Sequence, residues 1–92
     1  MQKEYKIVLS DENISSELGE RSKFGGNPNW IQNDETPKCP HCKKQMEFIA
    51  QIDSMGYTGF VATTREPMFG DVGMIYVFFC HKCGISQSIF QE

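Results

Sequence analysis

Two short cysteine motifs decide the fold of this chain: Cys39-Pro40-His41-Cys42 and Cys80-His81-Lys82-Cys83. They contain all 4 cysteines of the sequence and are separated by residues 43–79. Two intervening residues allow both thiolates of a pair to bind one cation, while the backbone N–H groups of the turn point at the sulfurs. Two such turns supply the four soft ligands of a tetrahedral structural zinc. We therefore predict that Zn²⁺ is bound by Cys39, Cys42, Cys80 and Cys83.

Redox or catalytic use of these cysteines is the alternative. The sequence begins without the apolar stretch of a secretory signal, which predicts a cytoplasmic protein, and disulfides are rare in that compartment. A redox C-x-x-C usually precedes a helix in a βαβ unit, whereas the second motif lies between two strand-like segments. A catalytic zinc needs an open coordination position, usually among His or carboxylate ligands. Four cysteines leave no open position, so we predict structural zinc and no enzymatic activity.

Charged and titratable residues surround both motifs. We predict that His41 and His81 are solvent-facing turn residues, because sulfur already fills all four ligand positions; a role as ligand or proton carrier is the alternative. Four thiolates on Zn²⁺ leave a formal charge of about −2. Four lysines can compensate that charge, or alternatively contact nucleic acid: Lys38, Lys43, Lys44 and Lys82.

Length and composition limit the remaining possibilities. A chain of 92 residues and 10.5 kDa predicts a single zinc-binding domain over residues 1–92. No apolar run is long enough to cross a membrane as a helix. The net charge of −3 disfavours nucleic-acid binding, because lysine and arginine supply most of the affinity for phosphates. A core of this size gives marginal stability, which bound zinc would increase.

Strand-like segments make up most of the chain. We predict strands over residues 4–9, 45–54, 60–64, 74–80 and 85–91, with one helical turn over 14–18. Residues 74–80 are apolar on both faces, which is typical of a central strand. Because the connections lack clear helices, the sheet is predicted to be antiparallel. The predicted fold class is thus mainly β, with a zinc-ribbon-like site at the strand ends.

Side-chain alternation assigns the faces of these strands. Over residues 45–54, the alternation places four side chains on one face: Met46, Phe48, Ala50 and Ile52. We predict residues 20–23 as a polar link and 24–30 as a tight loop with two glycines. Most of a set of five aromatic side chains are predicted to point inward: Trp30, Phe48, Tyr76, Phe78 and Phe79. Three others are expected to be exposed on glycine-rich loops: Tyr57, Phe60 and Phe69.

The order of motifs resembles the programmed cell death protein 2 family, in its C-terminal-type core. The residues that carry the resemblance are Gly25-Gly26-x-Pro28-x-Trp30, Pro37-x-Cys39-Pro40-x-Cys42, Met46-x-Phe48-x-x-Gln51, and Tyr76-Val77-Phe78 followed by Cys80-x-x-Cys83. The YwqG-like bacterial family is similar more loosely, through its Gly-Gly-x-Pro opening, a Phe-x-x-Gln strand and an aromatic strand. The resemblance covers residues 24–83 and implies zinc binding by the four cysteines. It also implies that seven further residues serve to maintain the fold: Gly25, Gly26, Pro28, Trp30, Phe48, Gln51 and Tyr76.

The resemblance also suggests a function. Members of the first family resemble dedicated chaperones of a newly made ribosomal protein, but they are longer and often duplicated, so this chain resembles a single minimal core. We predict a zinc-stabilised protein-interaction module: a chaperone, an adaptor or an immunity-type inhibitor of a basic partner protein. The alternative is a zinc-ribbon nucleic-acid-binding protein, which would need a basic stacking face with Phe24, Trp30 or Tyr57. An enzyme would require a ligand near Gln51 or a metal-bound exchangeable water.

Overall fold

The computed structural model describes residues 21–54 and 73–92, and its elements are four strands. These are β1 (Lys23–Phe24), β2 (Glu47–Asp53), β3 (Met74–Cys80) and β4 (Ile85–Gln91). They form one antiparallel sheet in the order β1-β2-β3-β4, which confirms the predicted fold class. None of the described residues belongs to a helix with the length and hydropathy of a membrane span. The elements predicted over 4–9, 14–18 and 60–64, and the exposed aromatics predicted between 57 and 69, lie outside the described residues.

Strand β3 is the central strand, as its apolar sequence predicted. It pairs with β2 on one side and with β4 on the other. Its burial alternates: Met74, Tyr76 and Phe78 are fully buried, while the side chains between them are half-buried. We call the face with Met74, Tyr76, Phe78 and Cys80 the core face, and the face with Ile75, Val77 and Phe79 the outer face.

Strand β2 contains a β-bulge that overturns part of the predicted alternation. Alternation assigned Phe48 and Ile52 to one face and Gln51 to the other. The register shifts between Phe48 and Ala50, so that Phe48 and Gln51 both lie opposite buried aromatic residues of β3. One extra residue on a strand reverses the orientation of every side chain after it. Gln51 is consequently 1% exposed on the core face, while Ile52 is 38% exposed on the outer face.

The short strand β1 was predicted as part of a polar link and an adjoining loop. Lys23 and Phe24 pair with Gln51 and Ala50 of β2, and two residues are too few to show an alternating pattern. The chain then turns through Gly25 and Gly26, which have φ angles of 76° and 71°. These are left-handed conformations that glycine adopts without steric cost.

The segment after these glycines crosses the core face and is held there by aromatic contacts. The ring of Trp30 lies 4.4 Å from that of Tyr76 and 5.9 Å from that of Phe78, measured between centroids. The Tyr76 hydroxyl donates to the backbone oxygen of Asn29 (2.8 Å) and accepts from the backbone N–H of Ile31 (3.0 Å). Burial raises the pKa of Tyr76, so the hydroxyl stays neutral and able to donate.

Two buried glutamine amides hold the same segment. The Gln51 Oε1 accepts from the backbone N–H of Asn29 (2.9 Å), and its Nε2 donates to Asn29 Oδ1 (3.0 Å) and to the Arg21 carbonyl (2.6 Å). On β4, the Gln91 Oε1 accepts from the backbone N–H of Gln32 (3.0 Å), and its Nε2 donates to the Asn33 carbonyl (2.7 Å). Both amides therefore supply hydrogen bonds that a neighbouring strand would otherwise provide.

The end of the β2–β3 pair opposite the cysteines is closed by two residues. Ser54 directly follows β2, and its backbone N–H donates to the carbonyl of Gly73 (2.9 Å). The backbone N–H of Gly73 donates in return to Ser54 Oγ (3.0 Å). Both residues are buried, so the pairing of β2 with β3 ends in a closed ring of hydrogen bonds.

We predict that Gln51→Leu destabilises the protein by about 2–4 kcal/mol, because leucine fills a similar volume but leaves the backbone and side chain of Asn29 without their partners. The free energy of unfolding of the metal-loaded protein, measured with denaturant, tests this. Gln45→Leu is the matched control: Gln45 is exposed, so we expect a change within about 0.5 kcal/mol. Equal effects for the two variants would contradict the role assigned to the Gln51 amide.

Candidate metal centre

The structure brings the four predicted cysteines together at one end of the sheet. Cys39 and Cys42 lie in the turn before β2, Cys80 ends β3, and Cys83 lies in the turn that joins β3 to β4. The four sulfurs all lie within 4.8 Å of one another, and those of Cys42 and Cys80 are 3.7 Å apart. Tetrahedral zinc with metal–sulfur bonds of about 2.3 Å requires sulfurs roughly 3.8 Å apart. The cluster therefore has the ligand number and dimensions to hold one metal ion.

Backbone hydrogen bonds shape the first cysteine turn. The Cys39 N–H donates to the Lys44 carbonyl (2.8 Å), and the Lys43 N–H donates to the Cys39 carbonyl (2.9 Å). The backbone N–H groups of His41 and Cys42 point at the Cys39 sulfur, at 3.4 and 3.5 Å. This is the pattern expected from the C-x-x-C spacing, in which the turn donates to the ligand sulfur.

The second turn repeats the conformation of the first. The Gly84 N–H donates to the Cys80 carbonyl at 2.8 Å, in the same relative position as the bond from Lys43 to Cys39. Gly84 has a φ of 69° and Lys43 a φ of 68°, so each motif is followed by a left-handed residue. The left-handed conformation of Lys43 was not predicted from the sequence. Its position could have indicated it, because Lys43, like Gly84, directly follows the second cysteine of its motif.

The electrostatics of the sulfurs favour a cation among them. The Cys42 backbone N–H, and to a lesser extent that of His41, lowers the pKa of Cys39 to about 6. Burial, followed by contact with the other three thiols, raises the pKa of Cys83 to about 12. The two shifts have different main causes, backbone N–H donation at Cys39 and burial at Cys83, and the charge of the Cys39 thiolate also repels ionisation of Cys83. A divalent cation at the centre removes that repulsion.

Both histidines are exposed, as predicted for turn residues. His41 Nδ1 lies 3.5 Å from the Cys83 sulfur, beside the cluster. His81 Nε2 lies 2.8 Å from a carboxylate oxygen of Glu47, and its ring meets Phe79 edge to face at 5.0 Å. The contact of His81 with Glu47 joins the second turn to the start of β2. This contact was not predicted from the sequence.

The lysines near the motifs are all exposed: Lys38, Lys43, Lys44 and Lys82. The Lys43 ammonium donates to the Pro40 carbonyl (3.0 Å), which folds its side chain back over the first turn. Lys38 forms an isolated β-bridge with Gln45, so the chain enters and leaves the first turn side by side. Positive charges at these positions can offset the negative charge of a metal bound by four thiolates.

We predict that Cys39→Ser and Cys83→Ser each abolish metal binding and cooperative folding together. Structural zinc contributes about 10–16 kcal/mol in small peptides, which is comparable to a net folding stability of about 5–15 kcal/mol. Elemental analysis and thermal unfolding of the purified variants test this. A variant that keeps full metal content and a cooperative transition would contradict the assignment of its cysteine.

We also predict that Gly84→Ala destabilises the metal-loaded protein by about 1 kcal/mol, because alanine is strained at a φ of 69°. No atom lies within 4 Å of the added methyl position, so the cost is conformational rather than a steric clash. Lys43→Ala is the control: it keeps a non-glycine residue in the equivalent conformation, and we expect a change within about 0.5 kcal/mol. Unfolding with denaturant at saturating metal measures both, and an equal loss in both variants would refute the conformational explanation.

The chain is 31% identical over 71 residues, 77% of its length, to "Uncharacterized protein YpfL" of Salmonella typhimurium. The chain spans about 15% of the length of that relative, so the similarity concerns one part of a much longer protein. No protein-family model matches the sequence, and no solved structure matches the fold.

Proposed function

We propose that this chain is a zinc-stabilised protein-interaction module that binds a basic partner protein. The observation that carries the proposal is the convergence of four cysteine sulfurs within 4.8 Å. Four thiolates select zinc by their softness and fill its tetrahedral coordination, so the bound metal serves the fold and has no open position for a substrate. Function then depends on the surface that the metal stabilises.

The outer face of the sheet offers that surface. Phe24 is 57% exposed and Ile52 38% exposed, and both lie on the outer face by their register with β2 and β3. Exposed apolar side chains of this kind are commonly buried by protein partners. Glu47, on the same face, adds a carboxylate, and the whole chain carries a net charge of −3. Exposed apolar side chains beside a carboxylate fit a protein partner, and the acidic balance of the whole chain favours a basic one, as a chaperone, adaptor or inhibitor would bind.

Nucleic-acid binding is the second candidate, and the four exposed lysines around the cysteine turns favour it. Two observations count against it. Trp30, a candidate for base stacking, packs against Tyr76 and Phe78 in the core. Phe24 is exposed but belongs to β1, outside the two cysteine turns around which the four lysines lie in the sequence. Stacking platforms need basic and aromatic groups side by side.

The proposed function is not catalytic. Gln51 is the polar side chain at which an enzyme would most plausibly hold a ligand, but its amide already bonds to Asn29 and to the Arg21 carbonyl. Breaking those bonds to bind a substrate would leave buried groups unsatisfied. A cytoplasmic location fits the proposal, because reducing conditions preserve four thiolates for the metal.

Purified protein is expected to contain one zinc per chain by elemental analysis. A strong chelator should remove the zinc and abolish the cooperative thermal transition, and added zinc should restore both, because metal binding and folding are coupled. Iron in place of zinc, or an unchanged transition after complete metal removal, would contradict the proposed structural zinc.

The partner surface is tested with the zinc-loaded chain as bait. We expect it to retain a basic protein, and Phe24→Ser to retain at least about tenfold less of it, because the exposed ring is lost from the interface. Gln45→Ser is the control for a change at an exposed residue outside the strands. Titration of nucleic-acid binding with salt decides the alternative: tight binding that falls steeply with salt would favour nucleic acid over a protein partner.

A further inference from the structure

Strand β4 forms one edge of the sheet. Its inner side pairs with β3 along its whole length, from Ile85 to Gln91. Within residues 21–54 and 73–92, no strand pairs with its outer side. Edge strands in soluble proteins usually carry charges, proline or a bulge that prevents pairing with another chain. Residues 85–91 read Ile-Ser-Gln-Ser-Ile-Phe-Gln, with no charge and no proline, and the β3–β4 register runs without interruption.

The sequence of this edge is symmetric. Residues 85–89, Ile-Ser-Gln-Ser-Ile, read the same in both directions around Gln87. Ile85, Gln87 and Ile89 lie on the core face, because they are directly opposite core-face residues of β3. Ser86 and Ser88 lie on the outer face. A strand with this pattern is complementary to an antiparallel copy of itself.

We infer that β4 pairs with β4 of a second copy of this chain, around a twofold axis at Gln87. In that arrangement Ile85 of one copy lies opposite Ile89 of the other, and Ser86 lies opposite Ser88. The axis is perpendicular to the sheet, so apolar side chains meet apolar ones on the core face and hydroxyls meet on the outer face. The sheets of the two copies become one continuous antiparallel sheet, to which the described residues of each copy contribute four strands, with a symmetric interface typical of homodimers.

The symmetry favours a second copy over a strand from another protein. Strand addition by an unrelated partner needs an open edge but no palindrome. Self-pairing around a twofold axis places each residue opposite the one at the mirrored position, and at positions 85–89 those two residues are identical, so like side chains meet. Exposed side chains at Ser86, Gln87 and Ser88 also leave the centre of the edge uncovered.

This inference goes beyond the proposed function and does not depend on it. The proposed partner surface is probed at Phe24 of β1, which is separated from β4 by β2 and β3. Dimerisation is measured as the molecular mass of the purified chain in solution, without any other protein present. The partner experiment and the dimer experiment can therefore fail separately.

The test is sedimentation equilibrium of the zinc-loaded full chain. We expect a species of twice the 10.5 kDa chain mass. Gln87→Lys places two ammonium groups opposite each other at the axis and should weaken dimerisation roughly tenfold or more. Gln45→Lys introduces the same charge at an exposed residue away from β4, and it should dimerise like the wild type.

A charge-swap experiment identifies the axis itself. Gln87→Glu alone should weaken dimerisation as Gln87→Lys does, while an equal mixture of Gln87→Lys and Gln87→Glu chains should dimerise again, because opposite charges then meet. Restored dimer in the mixture supports the inference. A wild-type chain that stays monomeric overturns it, as does a Gln87→Lys chain that remains fully dimeric or a wild-type monomer that instead binds a strand of another protein.

Discussion

The convergence of four sulfurs at one end of the sheet is the constraint on which the rest of the structure depends. It joins the turn before β2 to the turn between β3 and β4, and two of its members, Cys39 and Cys80, belong to the buried core. The other buried apolar residues in the described chain are few: Met46, Ala50, Met74, Tyr76 and Phe78. A core of that size provides little stability after the conformational entropy cost of folding. A metal ion held by the cysteines would supply a stabilising interaction that the apolar core lacks.

Buried polar side chains replace part of the missing secondary structure. The segment that crosses the core face forms no strand, yet Asn29, Ile31 and Gln32 each donate a backbone N–H to a side chain of the sheet. The acceptors are the Gln51 amide, the Tyr76 hydroxyl and the Gln91 amide. Because each acceptor group also donates to this segment, the network fixes the path of the backbone from both directions.

The cysteine cluster and the strands β3 and β4 could be predicted from the sequence, because both depend on local patterns. The C-x-x-C spacing defines a ligand pair without reference to the fold, and β3 and β4 were predicted with the boundaries that the structure shows. The faces of β2 were predicted wrongly after Phe48. The bulge there arises from the pairing with β3, and the alternation of apolar and polar residues in the sequence does not indicate it. Strand β1 was missed for the same reason: two residues become a strand only through pairing with β2.

The hydrogen bonds between Ser54 and Gly73 have a consequence for how this fold can vary in length. They hold the end of β2 beside the start of β3 through contacts between Ser54 and Gly73 alone. Additional residues in the connection between these two strands would leave the sheet register intact and raise only the entropic cost of closure, which grows logarithmically with chain length. This connection is therefore a natural place for related chains to acquire extra sequence without rebuilding the sheet or displacing the cysteines at its far end.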